Sequence, residues 1–234
     1  MSAWRTAMCL AAFAVLLAGC GQSGGEGLGL GGAPWQDGAT ARYQWLDGSG
    51  SEIGTSEIAC VREGDAWVIT QSDQITGFDQ AFEVRVSAAT LAPLGEHKRI
   101  QSADTEAEIT TRYEGGKLEI EATVNGEARS ASVDVPAHVL DNDQLLMTLR
   151  ALPFAEGYRG EVVVVVAQNA LKVPMEITIQ GQEQIEVPAG TFQTWRVELL
   201  AAQTKQTAWY QVDAPHMLVL YDNGTTRMAL VEGE

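Results

Sequence analysis

The feature that most constrains this chain is a strict alternation of apolar and polar residues. In KLEIEATV, residues 117–124, every second residue from Leu118 to Val124 is apolar, and the residues between them are charged or threonine. Alternation of this kind places the apolar side chains on one face of a strand, which is buried while the other face meets water. The same period recurs at residues 82–86, 175–179 and 195–199. The pattern predicts a domain built mainly from β-strands.

Short turn signals separate the alternating segments. Gly115-Gly116 and Asn125-Gly126 have the composition of two-residue hairpin turns. Further signals of the same kind are Asp47-Gly48, Gly64-Asp65, Ala189-Gly190 and Asn223-Gly224. Because connections this short join antiparallel neighbours, the sequence predicts an antiparallel meander of about a dozen strands.

One segment departs from the period of two. AHVLDNDQLLMTLRALPF, residues 137–154, predicts a helix that Asp141 caps and Pro153 ends. Its apolar residues at helical spacing are Leu145, Leu146, Leu149 and Leu152. We therefore expect one amphipathic helix inserted among the strands.

The strand that follows this helix is apolar on both faces. It contains the run Val162–Val166, so both of its sides must be covered, one of them by the helix. A long antiparallel sheet curls, and the predicted fold is a curled antiparallel sheet or open β-barrel with one inserted amphipathic helix. The enclosed apolar space is either a filled core or a ligand cavity, and the sequence leaves both open. Residues predicted to line such a cavity are Leu145, Leu149, Val162, Val164 and Val166.

The first 19 residues read as a bacterial lipoprotein signal peptide. Their apolar segment, Ala7–Ala18, is shorter than the roughly 20 residues that a membrane-spanning helix needs. The sequence LAGC that ends at Cys20 resembles a lipobox, so Cys20 is the predicted site of lipidation and the mature N-terminus. Gly21 follows it where an aspartate would favour retention at the inner membrane. We expect an exported protein at the periplasmic side of the outer membrane, or on the outer face of the cytoplasmic membrane in a cell with one membrane.

The residues after Cys20 predict a tether. Seven of the twelve residues in GQSGGEGLGLGG, residues 21–32, are glycine, which makes an ordered conformation entropically costly. The predicted organisation is a signal peptide over residues 1–19, a lipidated cysteine and glycine-rich tether over 20–39, and one β domain over 40–234.

The charge of the chain argues against polyanionic partners. The formal net charge is −16, and it becomes −17 once residues 1–19, whose only charged residue is Arg5, are removed. Nucleic acids and anionic lipid headgroups attract clustered lysine and arginine, so neither is an expected partner. Contact with the membrane is therefore predicted to run through the N-terminal lipid.

The cysteines and histidines predict neither a disulfide nor a metal site. Cys9 leaves with the signal peptide and Cys20 carries lipid, so Cys60 remains as a buried structural thiol. The histidines His97, His138 and His216 lack the spacing that would place two of them on one helical face. No metal and no cofactor are predicted.

Motifs for catalysis are also missing from the sequence. The motif G-x-S-x-G occurs only at residues 21–25, inside the glycine-rich tether and not as an elbow, and there is no P-loop and no G-x-G-x-x-G between a strand and a helix. A hydrolase of envelope polymers would draw first on Asp141, Asp143 and Glu156, but a helix cap and solvated helix ends explain these carboxylates better. The prediction is a protein that is not an enzyme.

Several segments resemble one family of bacterial envelope proteins. VPAGTFQTWRVEL at 187–199, AWYQVDAPHMLVLYD at 208–222, the DQLLMTLRALPF helix and YQWLDGSGSEIG at 43–54 are similar to domain of unknown function 3108 over most of residues 41–231. The resemblance implies an exported antiparallel β domain without an assigned reaction. At the level of architecture it is also similar to the open β-barrels of lipoprotein carriers and their outer-membrane receptors.

Two non-enzymatic functions follow as hypotheses. The first is the binding or carrying of an apolar ligand, such as lipid or acyl chains, inside the curled sheet. The second is a scaffold with a solid interior that binds an envelope protein through a surface patch. Candidate patches are the loop around Phe78 and the turn Leu152-Pro153-Phe154.

Overall fold

The computed structural model describes residues 27–233. The alternating segments of this part of the chain form strands. Eight strands make up a first meander, in which each pairs antiparallel with the next. They are β1 (Ala39–Leu46), β2 (Glu52–Glu63), β3 (Ala66–Ile75), β4 (Phe78–Ser87), β5 (Pro93–Ser102), β6 (Glu106–Glu114), β7 (Lys117–Val124) and β8 (Glu127–Asp134). Gly115, Gly116, Asn125 and Gly126 all have positive φ, which confirms the predicted turns on either side of β7.

Seven further strands form a second meander. They are β9 (Val139–Asp141), β10 (Arg159–Val166), β11 (Leu171–Val187), β12 (Gly190–Ala201), β13 (Thr204–Gln211), β14 (Leu218–Asp222) and β15 (Arg227–Gly233). The three residues of β9 run parallel to β10, and the other neighbours in this meander are antiparallel.

The two meanders join through their first and last strands. β1 pairs antiparallel with β15, so the strand order runs from β8 down to β1, then from β15 down to β9. Tyr43 of β1 lies opposite Leu230, and its hydroxyl donates a 3.0 Å hydrogen bond to the Leu218 carbonyl. Arg42 forms an ion pair with Glu232 across the same junction. The result is one fifteen-stranded curled sheet that does not close into a barrel, and the predicted fold class is confirmed.

The curl places β10 between two apolar clusters. Val162 and Val164 pack into the main core, together with residues of strands β1–β4 and β11–β15 and of the short helix described next. Val165 packs on the other side into a second cluster formed with residues of β6, β7 and β9. The prediction that this strand is covered on both faces is confirmed.

The inserted helix is shorter than predicted. It consists of one α-helical turn, α1 (Leu145–Thr148), followed by a 3₁₀ turn, Leu149–Ala151. Leu145, Leu149 and Leu152 are buried, as their spacing predicts, and Leu146 is half-buried. The predicted cap is wrong, because Asp141 lies in β9 and Gln144 occupies the N-cap position, where its side chain accepts no capping hydrogen bond from the helix amides.

Side chains from distant segments bind the backbone carbonyls of this short helix. The Tyr210 hydroxyl donates to the Leu146 carbonyl at 2.8 Å, and Trp35 Nε1 donates to the Met147 carbonyl at 3.3 Å. A helix this short cannot satisfy its own carbonyls, so these aromatic donors replace the missing intrahelical bonds.

The predicted tether is wrong over its second half. Residues 27–38 pack along the domain, with the side chains of Leu28 and Trp35 buried in the main core. The Gly31 amide donates to the Ala151 carbonyl at 2.8 Å, and the Tyr158 hydroxyl donates to the Leu28 carbonyl at 2.6 Å. Burial of these two apolar side chains offsets the entropy cost of ordering the glycines. Residues 27–38 are called the strap below. The signal peptide, Cys20 and the first part of the predicted tether lie outside the described residues.

None of the helices within residues 27–233 combines the length and the apolar character that crossing a membrane requires.

The strap predicts a measurable contribution to stability. Trp35→Ala is expected to lower the free energy of unfolding by about 3–5 kcal/mol, because it removes a buried aromatic side chain and its bond to the helix. Chemical denaturation measures the change. Gln36→Ala, at an exposed neighbouring position, is the control and is expected to stay within about 0.5 kcal/mol of wild type. Equal midpoints for the two variants would contradict the docking of the strap.

Candidate functional site

The residues predicted to line a ligand cavity are part of the packed core. Leu149 is 0% exposed and Val164 is 1% exposed, while Leu145 and Val162 are also buried and Val166 is half-buried. The core therefore brings Leu145, Leu149, Val162 and Val164 together, but their side chains pack against protein. Neither of the surface grooves described next reaches any of these five residues.

The described surface carries two adjoining depressions on strands β2–β7. Their volumes are about 520 Å³ and about 310 Å³, and they share Ser72, Ala81 and Arg99. Ala81 and Glu83 alternate along β4 with Phe82 and Val84, which are buried in the main core. These depressions thus lie on the face of the sheet that points away from the core, and together they are called the outer-face groove.

Most of the charged residues that line the outer-face groove are acidic. Small residues, Ala59, Ser72 and Ala81, form part of its floor. Of its charged residues, Glu108 accepts hydrogen bonds from His97 Nε2 at 2.8 Å and from Arg99 at 3.4 Å. The exposed lining acids that form none of the ion pairs among residues 27–233 are Glu57, Asp79, Glu83 and Glu106. The groove thus offers several carboxylates without an internal counterion.

The surface patches expected from the sequence differ from this groove. Leu152 is buried in the core, and Phe154 lies 6.2 Å from Trp195 and 4.4 Å from His216 between ring centroids. The turn Leu152-Pro153-Phe154 is therefore largely occupied by its own packing. Phe78 is half-buried at the start of β4, beside Asp79 in the groove.

A second group of polar residues lies inside the domain. Glu96 and Lys98 project from β5 on its core-facing side, and they meet Asp141 and Asp143 at the end of β9. One oxygen from each of Glu96, Asp141 and Asp143 lies within 4.8 Å of the others. These three acids are called the buried carboxylate cluster. The sequence interpretation of Asp141 and Asp143 as a helix cap and a solvated helix end is wrong, since both lie in this cluster, whereas Glu156 is exposed.

Hydrogen bonds hold the cluster in place. Lys98 Nζ donates to Asp143 Oδ2 at 2.6 Å, and the Tyr113 hydroxyl donates to Asp141 Oδ2 at 2.6 Å. The Asp143 amide donates to Asp141 Oδ1 at 3.0 Å, which folds the chain after β9 into a tight turn. This turn fixes both aspartates on the same side of the strand end.

Burial dominates the proton equilibria of the cluster. It raises the pKa of Glu96 to about 11, helped by the adjoining Asp143 carboxyl, and it raises the pKa of Asp141 to about 6, helped by the charge of Asp143. Burial opposes ionisation of Asp143 as well, but hydrogen bonding with Glu96 and the Lys98 ammonium hold the pKa of Asp143 below its usual value. The cluster therefore concentrates negative charge on Asp143, beside Lys98.

Sequence reasoning missed Glu96 and Lys98. Both fall at positions of β5 with the same parity as the partly buried Ile100, so the alternation places them on the inner face. Charged residues at inner positions of a strand are a signal for a buried polar site, because burial of an unpaired charge is costly. That signal was present in the sequence.

Three further reactive side chains of the described region, Cys60, His97 and His216, are hydrogen-bonded or protonated. Cys60 is a free, buried thiol, as predicted, and burial raises its pKa to about 12. His216 Nδ1 lies 3.0 Å from the Gln211 carbonyl, and His97 binds Glu108 on the outer face. A thiol this far from ionisation is a poor nucleophile.

The family assignment agrees with the fold. The model of the family described as Protein of unknown function (DUF3108) matches residues 40–231, and the chain belongs to this family. No curated protein sequence matches the chain.

Solved structures of similar fold share little sequence with this chain. A β-barrel-like protein of domain of unknown function DUF1849 from Brucella abortus has a TM-score of 0.57 at 11% identity, covering 85% of this chain and 97% of its own. This likeness supports the curled, barrel-like sheet. A predicted lipoprotein from Parabacteroides distasonis has a TM-score of 0.35 at 11% identity, covering 86% and 97%. A predicted exported protein with a YmcC-like fold from Bacteroides fragilis has a TM-score of 0.33 at 9% identity, covering 88% and 99%.

The packing around β10 leads to a prediction about the interior. Val164→Thr and Val165→Thr preserve shape and add a hydroxyl on opposite faces of the strand. Because both faces are packed, each variant is expected to lower the free energy of unfolding by about 1–3 kcal/mol, measured by chemical denaturation.

A ligand cavity would give the two variants different stabilities. If Val164 lined a ligand space, Val164→Thr would keep wild-type stability and would weaken binding of a fluorescent fatty-acid probe. Equal destabilisation, with no probe bound by wild type, is the result expected of a filled core.

Proposed function

We propose that this protein is a lipid-anchored protein of the bacterial cell envelope that acts without catalysis. In this proposal the outer-face groove binds a positively charged, extended segment of another envelope protein. The N-terminal lipid holds the protein at the outer membrane, facing the periplasm. The domain is thus a scaffold with a solid interior rather than a carrier of lipid.

The observation that carries the proposal is the charge of the outer-face groove. Glu57, Asp79, Glu83 and Glu106 line it without forming an ion pair within the described chain, and the whole chain is strongly acidic. A groove lined by charge of one sign raises the local concentration of the opposite charge and accelerates its association. The small residues of the floor leave space for a segment to lie across the strands.

The packing of the interior favours a scaffold over a carrier. An apolar ligand would need the space that Leu149, Val164 and the short helix occupy in the main core. The strap and the aromatic hydrogen bonds to Leu146 and Met147 fix that helix in place. Opening the interior would break these bonds and expose the core.

The chemistry of the site residues supports a role in binding. Cys60 is protonated and buried, and His97 is engaged by Glu108 on the surface. The carboxylates that the sequence offered as hydrolase candidates do not form an accessible pair, because Asp141 is buried at the end of β9 while Glu156 is exposed. Glycosidase-type catalysis needs two carboxyl groups that face a common substrate.

The anchor is tested by Cys20→Ser. We expect this variant to leave the membrane fraction after expression in a bacterium, because it lacks the thiol that accepts lipid. The strap and the sheet lie outside the lipobox, so far-UV circular dichroism is expected to match that of wild type. Membrane partitioning equal to wild type would contradict lipidation at Cys20.

The groove is tested by charge reversal. The double variant Glu57→Lys/Glu83→Lys is expected to bind a fluorescein-labelled hexalysine peptide about tenfold more weakly than wild type, as measured by fluorescence anisotropy at low salt. Both residues are exposed, so the fold is expected to tolerate the change.

The control for this experiment is the double variant Glu186→Lys/Glu121→Lys. Both residues are exposed and lie outside the groove lining, so this pair changes the net charge by the same amount. We expect the control pair to retain binding within about twofold. Equal losses in both pairs would show that the peptide responds to overall charge, and the groove proposal would then be wrong.

A further inference from the structure

The buried carboxylate cluster holds more acidic groups than its neighbours can balance. Three carboxyl groups, Glu96, Asp141 and Asp143, face one ammonium group, that of Lys98. Lys98 is itself confined, with its ammonium 2.6 Å from Asp143 Oδ2 and 5.7 Å from the centre of the Phe82 ring. Only one of the three carboxyl groups therefore has a cationic partner, and a buried carboxyl group without one is disfavoured in its ionised form.

Two buried oxygen atoms at the cluster have no hydrogen-bond partner. They are Glu96 Oε1 and Thr111 Oγ1. Glu96 is 4% exposed and Thr111 is 6% exposed, and the two residues lie directly opposite each other in the β5–β6 pair, so their side chains share one face. A buried oxygen without a hydrogen-bond donor is destabilising, and a bound cation would satisfy it.

The spacing of the carboxyl oxygens allows all three acids to reach one cation. One oxygen each from Glu96, Asp141 and Asp143 falls within 4.8 Å of the others, and two oxygens on opposite sides of a Ca²⁺ ion lie about 4.8 Å apart. Mg²⁺ usually keeps several of its waters, whereas Ca²⁺ accepts many protein oxygens in flexible geometry, so a buried set of protein oxygens favours Ca²⁺. Carboxylate and hydroxyl oxygens without nitrogen or sulfur ligands are the donor set of a hard divalent cation.

We propose that Glu96, Asp141 and Asp143 bind a divalent cation, with Ca²⁺ preferred over Mg²⁺, and that Thr111 Oγ1 lies beside the ion as a further oxygen ligand. One divalent ion and Lys98 together balance the three carboxyl groups when all three are ionised. Lys98 is a competitor within the site, because its ammonium already pairs with Asp143.

The position of the site gives the cation a structural role. Glu96 and Thr111 belong to the first meander. Asp141 is the last residue of β9, the edge strand of the second meander, and Asp143 lies just after it. β9 has only three residues and pairs with β10 alone. A cation between these groups ties the short edge strand to β5 and β6, far along the sheet from the β1–β15 pairing.

Thermal unfolding of the purified full-length protein tests the proposal. After removal of bound metal with EDTA and dialysis, CaCl₂ is added and the Tm is followed by circular dichroism. We expect the Tm to rise with Ca²⁺ concentration and to saturate, because the ion binds only the folded state. The proposal is overturned if the Tm responds to neither Ca²⁺ nor Mg²⁺ up to about 10 mM. This concentration is roughly tenfold above the dissociation constants of the weakest extracellular Ca²⁺ modules.

Variants locate the response. Glu96→Gln keeps the shape of the side chain and removes one ligand charge, and it is expected to weaken the apparent Ca²⁺ affinity at least about tenfold. Glu186→Gln, an exposed acid elsewhere on the sheet, is the matched control and is expected to match wild type. A Ca²⁺ response that Glu96→Gln leaves unchanged would assign binding to surface carboxylates and overturn the proposed site.

A variant with the opposite expected effect separates binding from folding. Lys98→Met removes the competing ammonium, so we expect the apparent Ca²⁺ affinity to increase severalfold. A variant that only loosened the domain would not bind the ion more tightly. Unchanged or weaker affinity in Lys98→Met would contradict the site as described.

Discussion

Pairing of β1 with β15 is the interaction on which the rest of the architecture depends. It joins strands at opposite ends of the described chain and converts two separate meanders into one sheet. Tyr43 crosses this junction, with its ring in the core and its hydroxyl on the Leu218 carbonyl. Without the junction each meander would expose an additional strand edge and one side of the core. The curl that brings β9 and β10 against the first meander requires both meanders to belong to the same sheet.

The interior is organised by side-chain donors as much as by apolar contact. One turn of α-helix and one of 3₁₀-helix carry carbonyls that the backbone cannot satisfy, and Trp35 and Tyr210 bind two of them. Arg150 reaches the Pro215 carbonyl from the same turn. These bonds connect the short helix to the strap and to residues 210–215, so the helix is fixed in one orientation. This arrangement explains how a segment too short to be stable alone fills the centre of the curl.

The sequence predicted local structure well where contacts between neighbouring residues determine it. Alternation located the strands, and glycine pairs located the hairpin turns, because both depend on neighbours within a few residues. The strap was missed, because glycine content suggested a free chain while Leu28 and Trp35 found partners more than a hundred residues away. Asp141 was assigned to a helix cap, since only the fold shows that Tyr113 and the Asp143 amide take both of its oxygens. The buried carboxylate cluster likewise depends on the curl, which no local pattern specifies.

The same junction sets the order in which the domain can fold. The first meander consists of hairpins that form between neighbours as soon as the chain is available, and such local contacts form quickly. β1 cannot acquire its second partner until β15, the last strand, is present. Until then its free edge and the apolar side chains around Tyr43 remain open to pairing with other chains. A nascent or partly folded molecule thus exposes β1 as an additional free edge, and the addition of β15 covers it.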